Sequence, residues 1–280
     1  YLIPNLTPLF NVRFGLKHHL TIASIICVVS LSFIGSAEKK IFTIHAKQNF
    51  ATLDNLGNLY LVKDDELLKY LANGRFFVRY SNLKLGNISS IDVTNPLKLM
   101  LYYRDFQQIV FLDDQLSVNS DNVSLEHLGY EQTDLVCASA NNSFWIYSKQ
   151  NNELLRFNES SKKIAFTGNL KQVLQTDIDP NFMIEYNGLL FLNCPDNGIY
   201  VFDIFGAFSR VIGIKGLQQF QVGESILYYH KDSLLCSYNY RLLDEACKTF
   251  PGSASATDIR FNNRRICMAF KDSVQVHLNE

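Results

Sequence analysis

Asn187-Gly-Leu-Leu-Phe-Leu-Asn-Cys-Pro-Asp-Asn-Gly-Ile-Tyr-Val-Phe-Asp-Ile-Phe-Gly-Ala-Phe208 is the stretch whose reading decides the fold. It holds two apolar runs, Leu189–Leu192 and Ile199–Phe202. Turn residues bound both: Asn187-Gly188 before the first, Pro195-Asp196-Asn197-Gly198 between them, Asp203 and Gly206 after the second. Short runs of aromatic and β-branched residues separated by Gly, Asn, Pro and Asp read as successive antiparallel strands.

Weaker copies of this unit recur along the chain. The middle of the first run, Phe191, has equivalents at Tyr60, Leu101, Ile146, Leu227 and Cys267, with intervals of 41, 45, 45, 36 and 40. The second run gives Leu68, Val110, Leu155, Tyr200, Leu235 and Gln275, with intervals of 42, 45, 45, 35 and 40. The two series track each other, which unrelated strands of a sandwich would not do. A further strand precedes each pair: Phe50–Leu53, Ile88–Asp92, Leu135–Ala138, Phe182–Glu185, Phe220–Val222 and Ile259–Phe261. A fourth follows in several copies, at Phe76–Tyr80, Lys163–Phe166, Arg210–Ile214 and Cys247–Phe250. Four antiparallel strands in each such repeat make the blade of a β-propeller. The fold expected is therefore all-β, a six-bladed propeller over residues 38–280.

The sixth copy runs out after its third strand, while Ile41–Ala46 stands ahead of the first blade with no blade of its own. A ring must close or leave two sheet edges unpaired. Ile41–Ala46 is thus expected to supply the fourth strand of the last blade. Leu116–Gly129 and Asn169–Asp179 lack clear strand character, and one of them is expected to hold a short helix or a protruding loop.

The first 37 residues differ from the rest. They contain no Asp or Glu, and Arg13, Lys17, His18 and His19 precede the apolar run Leu20–Ile34. Gly35-Ser36-Ala37 follows, with small residues at the −3 and −1 positions. This is the pattern of a secretory signal peptide cleaved after Ala37. The competing reading is a retained anchor, but the run is short for a span of roughly 20 residues. Cys27 is preceded by Ile26, which does not suit a lipobox. Residues 1–11 read as translated upstream sequence, with Val12 the product of a non-standard start codon. The mature chain would begin at Glu38 and lose Arg13 and Lys17, leaving 24 basic residues against 27 acidic ones.

Composition narrows the function classes. A net charge of −1 offers no basic field for nucleic acid and no acidic tail. The mature chain keeps five cysteines: Cys137, Cys194, Cys236, Cys247 and Cys267. An odd count argues against a full disulfide framework. Cys236 and Cys247 could pair across one hairpin; the alternative is that all five are small buried hydrophobes.

The residues Asp54-Asn-Leu-Gly-Asn-Leu-Tyr-Leu61 and Asn187–Leu192 with Asn197–Gly206 resemble the repeat of six-bladed NHL/TolB-like (YWTD-like) propellers. There, a Gly-Asn-x-Tyr/Phe-Val strand is followed by an Asn-x-Ile-x-Val-Phe-Asp-x-x-Gly hairpin. The likeness is clear in two blades, partial from Trp145 to Phe157, and covers most of residues 41–280. The export signal and the Asn/Lys/Phe/Tyr-rich composition also resemble periplasmic or surface propellers of Bacteroidota. Such a resemblance implies a fold rather than a function, because these propellers include binding modules, scaffolds and hydrolases.

Chemistry-bearing motifs are sparse. His45, His127, His230 and His277 form no zinc pattern, although His45 and His277 lie on strands expected to be neighbours. The acidic clusters Asp64-Asp65-Glu66, Asp113-Asp114 and Asp244-Glu245 fall at expected turns. Calcium takes about six to eight oxygens from several directions, so these clusters read as solvated turns. Lactonase-type propellers resemble this fold and hold calcium in the central channel. Glu185, Asp92, Asp134, Asp258 and Asn181 lie near inner strands here, but none matches a repeated motif, and none is assigned a catalytic or metal role. Tyr102, Tyr103, Trp145, Tyr228 and Tyr229 read as core or as a stacking platform.

The expectation is a non-catalytic propeller without cofactor, exported to the periplasm or outer membrane. It would bind an envelope protein or peptide, as a monomer or as part of a hetero-complex, without nucleic acid and without a transmembrane span in the mature chain. The alternatives are a calcium-dependent lactonase-like hydrolase and a carbohydrate-binding propeller.

Overall fold

The computed structural model describes residues 39–262 and 264–279. The expected leader, its cleavage after Ala37, Cys27 and the start at Val12 lie outside them. Strand β1 (Lys40–Ile44) comes first. Blade one follows with β2 (Phe50–Leu53), β3 (Leu59–Lys63), β4 (Glu66–Tyr70) and β5 (Phe76–Ser81). Blade two has β6 (Ser90–Asp92), β7 (Leu99–Tyr103), β8 (Gln108–Leu112) and β9 (Val123–Ser124). Blade three has β10 (Thr133–Ser139), β11 (Ser143–Ser148), β12 (Glu153–Phe157) and β13 (Lys163–Phe166), then helix α1 (Leu170–Leu174). Blade four has β14 (Phe182–Tyr186), β15 (Leu189–Cys194), β16 (Gly198–Asp203) and β17 (Phe208–Ile212). Blade five has β18 (Gln221–Gly223), β19 (Ile226–Lys231), β20 (Leu234–Asn239) and β21 (Asp244–Thr249). Blade six has β22 (Asp258–Asn262), β23 (Arg265–Phe270) and β24 (Ser273–Leu278).

All six sheets are four-stranded, and the sixth takes β1 as its outer strand beside β24. The register is Phe42 opposite Val276 and Ile44 opposite Val274, so the ring closes through the chain's first described strand. His45 follows the Ile44–Val274 end, whereas His277 pairs with Lys40 at the other end. The two histidines are neighbours in strand but not in register, and they do not meet.

The second strands explain why the ring is stable. A blade buries both faces between its neighbours, so β7 and β11 are buried at every position. Blade five departs from this: β19 alternates buried and half-buried residues. Between blades two and three, Phe144 stacks on Phe157 at 5.5 Å.

Hairpin chemistry repeats along with the strands. Asp54 Oδ1 accepts from the amides of Leu56 and Asn58 at 3.0 and 2.8 Å. Asp113 does the same for Gln115 and Ser117, and Asp203 for Phe205 and Ala207. Asn158 accepts from Lys162. These side chains supply the turn's missing acceptor. The fourth residue of each turn is left-handed: Gly57 and Gly206, but also Leu116 and Ser161, both at φ 58°. Ser161→Gly removes that strain and is expected to raise stability by about 0.5 kcal/mol. Gly206→Ala is expected to cost about 2 kcal/mol or more, because its Cβ would lie 2.7 Å from the Phe166 carbonyl oxygen. Urea midpoints of the two variants should move in opposite directions.

Two expectations are corrected. Leu116–Gly129 holds the outer strand of blade two, which sequence reading missed because β9 is only two residues long. Asp244 and Glu245 begin β21 rather than forming a turn. The short helix falls in the second of the two unassigned stretches, with Asn169 as its N-cap.

Candidate functional site

An antiparallel meander sends alternate turns to opposite faces. Turns joining first to second and third to fourth strands open on one face, called lower here. Second-to-third turns and the crossings between blades open on the other, the upper face. The inner strands β2, β6, β10, β14, β18 and β22 surround a central channel of about 1440 Å³.

Four of the five sequence candidates line this channel: Asp92, Asp134, Asn181 and Asp258. Their polar atoms are engaged by neighbours. Asp92 accepts from Thr94 N and Oγ1 at 2.9 and 2.6 Å, and from the Ala138 amide of blade three at 2.9 Å. Asp134 pairs with Lys149 at 3.1 Å. Asp258 accepts from Arg260 Nε at 2.8 Å and from Gln219 Nε2 at 2.6 Å. Asn181 accepts from Asn193 Nδ2. Among the described residues, no group of three His, Cys, Asp or Glu side chains converges as metal ligands would.

Glu185, the fifth candidate, points elsewhere. Its side chain is buried between blades three and four. Glu185 Oε2 accepts from Trp145 Nε1 at 2.7 Å and from Ser139 Oγ at 2.5 Å, and Oε1 accepts from the Ala140 amide at 3.0 Å. Arg156 donates from Nε to Ser139 Oγ at 2.7 Å and from Nη2 to the Ala140 carbonyl at 3.1 Å. This buried charge is fully partnered, and it clamps two blades together. Sequence reasoning missed the clamp because its members are up to 46 residues apart.

The aromatic candidates are mostly core. Tyr102, Tyr103, Trp145 and Tyr229 are buried. Tyr228 is half-buried and stacks on Phe261 at 5.8 Å. Cys236 and Cys247 are joined by a 2.03 Å bond across β20 and β21. Every residue of β21 is exposed, so burial holds that strand little and the covalent clip matters more. Cys137, Cys194 and Cys267 are buried thiols. Burial pushes all three up, Cys194 to about 12, which keeps them from acting as thiolates near neutral pH.

Burial holds His230 and His277 below the usual imidazole value, and Lys40 adds to the effect at His277. A histidine in the unfolded chain titrates at about 6.5. Below that value the unfolded state therefore binds more protons than the native one, and stability falls as pH drops. The melting temperature is expected to fall as pH is lowered from 7 through 6, with a shallower slope in His277→Gln.

The two faces differ in their surface. Leu56, Leu97, Phe205, Leu242 and Leu243 sit on lower-face turns and are 64% to 76% exposed. They are five of the six most exposed large apolar side chains described, the sixth being Leu83 on the upper face. Described lower-face turns carry six acidic and five basic side chains, upper-face turns ten and seven. A second, smaller hollow of about 420 Å³ opens beside Thr94, Lys98, Asn141 and Asn187 on the lower face.

No protein-family model matches the chain, and no curated protein matches it. Solved structures do. The Pan2 WD40 domain of Neurospora crassa is similar at a TM-score of 0.62 and 6% identity, over 86% of this chain and 95% of that one. Virginiamycin B lyase from Staphylococcus aureus is similar at 0.55 and 13% identity, over 82% and 80%. The extracellular domain of a B. thetaiotaomicron protein assigned to the one-component systems is similar at 0.53 and 14% identity, over 81% and 32%. At such identities the likeness is one of propeller fold. No helix among the described residues is long and apolar enough to cross a membrane.

Proposed function

We propose that this chain is an exported, non-catalytic propeller that docks an envelope protein or peptide through its lower face. The observation that carries the reading is the set of apolar turn tips concentrated there. Exposed apolar side chains gathered on one face mark interaction surfaces, and a rigid ring presents its loops without an ordering cost.

Several features support the finer parts of the reading. Residues 1–37 have the pattern of a leader that is removed. A disulfide on an exposed hairpin suits an oxidising compartment. The NHL/TolB-like repeat and the Bacteroidota-like composition agree with a periplasmic or surface location, and the extracellular domain from B. thetaiotaomicron shares the propeller fold. The protein would act as a monomer or within a hetero-complex. The engaged state of Asp92, Asp134 and Asp258 favours binding over a calcium-dependent hydrolase, because these carboxylates already hold structural partners.

Photo-crosslinking residues placed at Leu97, Leu242 and Leu83 in cells test the reading. Adducts from Leu97 and Leu242, but not from Leu83, are expected. Adducts from Leu83 alone, or from none of the three, would overturn it.

A further inference from the structure

We infer that the channel wall between blades five and six is a carboxylate-binding site, with Arg260 as its anchor. The inference is independent of which face docks a partner.

Arg260 lies in the middle of the inner strand β22 and lines the channel, with a side chain only 15% exposed. A guanidinium offers two hydrogen-bonding edges. Asp258 Oδ2 takes Nε at 2.8 Å. Among the described residues, no hydrogen bond is made by either Nη, so the end-on fork is free. That fork matches the two coplanar oxygens of a carboxylate.

The surrounding wall also leaves buried nitrogens without partners. Gln219 Nε2 and Arg260 together occupy both oxygens of Asp258. Gln221 Oε1 is used by the Phe261 amide at 3.1 Å, next to Arg260 in the chain. Gln221 Nε2 and His230 Nε2 are buried and have no partner among the described residues. A buried donor such as the Gln221 amide nitrogen is costly to leave without an acceptor. An acceptor-only ligand is the chemistry that such a wall lacks.

The mouths set the route. Asp134, Asp232 and Asp258 line the channel at its upper end beside Arg104 and Lys231, and the upper turns carry an acidic excess. Arg264 and Arg265 outnumber Asp92 at the lower end, where turn charges nearly balance. An anion therefore meets less repulsion entering from the lower face.

Calorimetry on the full chain with succinate, its neutral analogue succinamide and inorganic phosphate tests the site. Saturable succinate binding is expected, with no heat from succinamide and weaker binding of phosphate, which does not fit the planar fork as well. Arg260→Gln should weaken succinate at least tenfold, and Arg260→Lys should also weaken it, since an ammonium keeps the charge but loses the fork. Arg75→Gln, on an exposed lower-face turn, should leave binding unchanged. Equal binding of succinamide, phosphate tighter than succinate, or an Arg75→Gln loss as large as that of Arg260→Gln would overturn the inference. Should Arg260→Gln fold poorly with Asp258 left unpaired, the arginine side-chain 15N resonances of the native protein provide the readout. A succinate-dependent shift of one Nη pair is expected; no shift at saturating succinate would sink the site.

Discussion

Glu185→Ala is expected to lower the unfolding free energy by about 3–5 kcal/mol, the largest effect of any single polar substitution in the ring. Glu185 and Arg156 are both buried, with side chains 4% and 8% exposed. Removing the carboxylate strands the guanidinium in the blade interface. It also takes the acceptor from Trp145 Nε1, Ser139 Oγ and the Ala140 amide. Each unsatisfied donor adds its own desolvation cost. Trp145 is the sole tryptophan of the chain and donates to Glu185 directly, so its fluorescence in a urea titration reads the clamp and the unfolding together. The double variant Glu185→Leu with Arg156→Met should recover most of the loss, because no unpaired charge remains buried. A Glu185→Ala variant within 1 kcal/mol of the native protein would show that the clamp is dispensable.

Phe42→Asp should be nearly as damaging, by roughly 3 kcal/mol, but for a different reason. β1 holds the ring closed through its ladder with β24. Phe42 also lies over the third-to-fourth turn of blade one: a Cβ on Gly74 would fall 2.6 Å from its Cγ. A carboxylate there loses the apolar contact and is pushed into the sheet interface. Once β1 detaches, β24 becomes an exposed edge that can pair with another chain. Light scattering after size exclusion should therefore show concentration-dependent oligomers in Phe42→Asp. Phe77→Asp, on the exposed outer strand of blade one, should stay monodisperse and within about 1 kcal/mol of the native protein. Monodisperse Phe42→Asp with an unchanged melting temperature would mean that the ring does not depend on this strand.

The contrast between these two sites follows how legible each was. Ring closure could be read from the chain because it rests on counting: one strand was left over at the front and one was missing at the back. The Glu185 clamp could not. Glu185 was visible as an acid on an inner strand, but alternation places it on either side of the sheet equally well. Its partners Ser139, Ala140, Trp145 and Arg156 belong to the preceding blade, with nothing local to tie them to it. The same holds for Arg260. Its pairing with Asp258 two residues away is a period-two relation readable in sequence, whereas the unpartnered buried nitrogens of Gln221 and His230 emerge only when β18, β19 and β22 come together. β9 escaped notice for the opposite reason, since two residues carry no periodicity at all.

The order of apolar runs and turn residues, acting over four or five neighbours at a time, was enough by itself to determine most of the strands and the six-fold repeat. Tertiary structure alone decided which side chains meet across blades: the buried clamp, the free edge of Arg260 and the apolar tips sharing one face. Those contacts join residues about 40 positions apart, and at that distance the chain records each group's chemistry but not the direction in which it points.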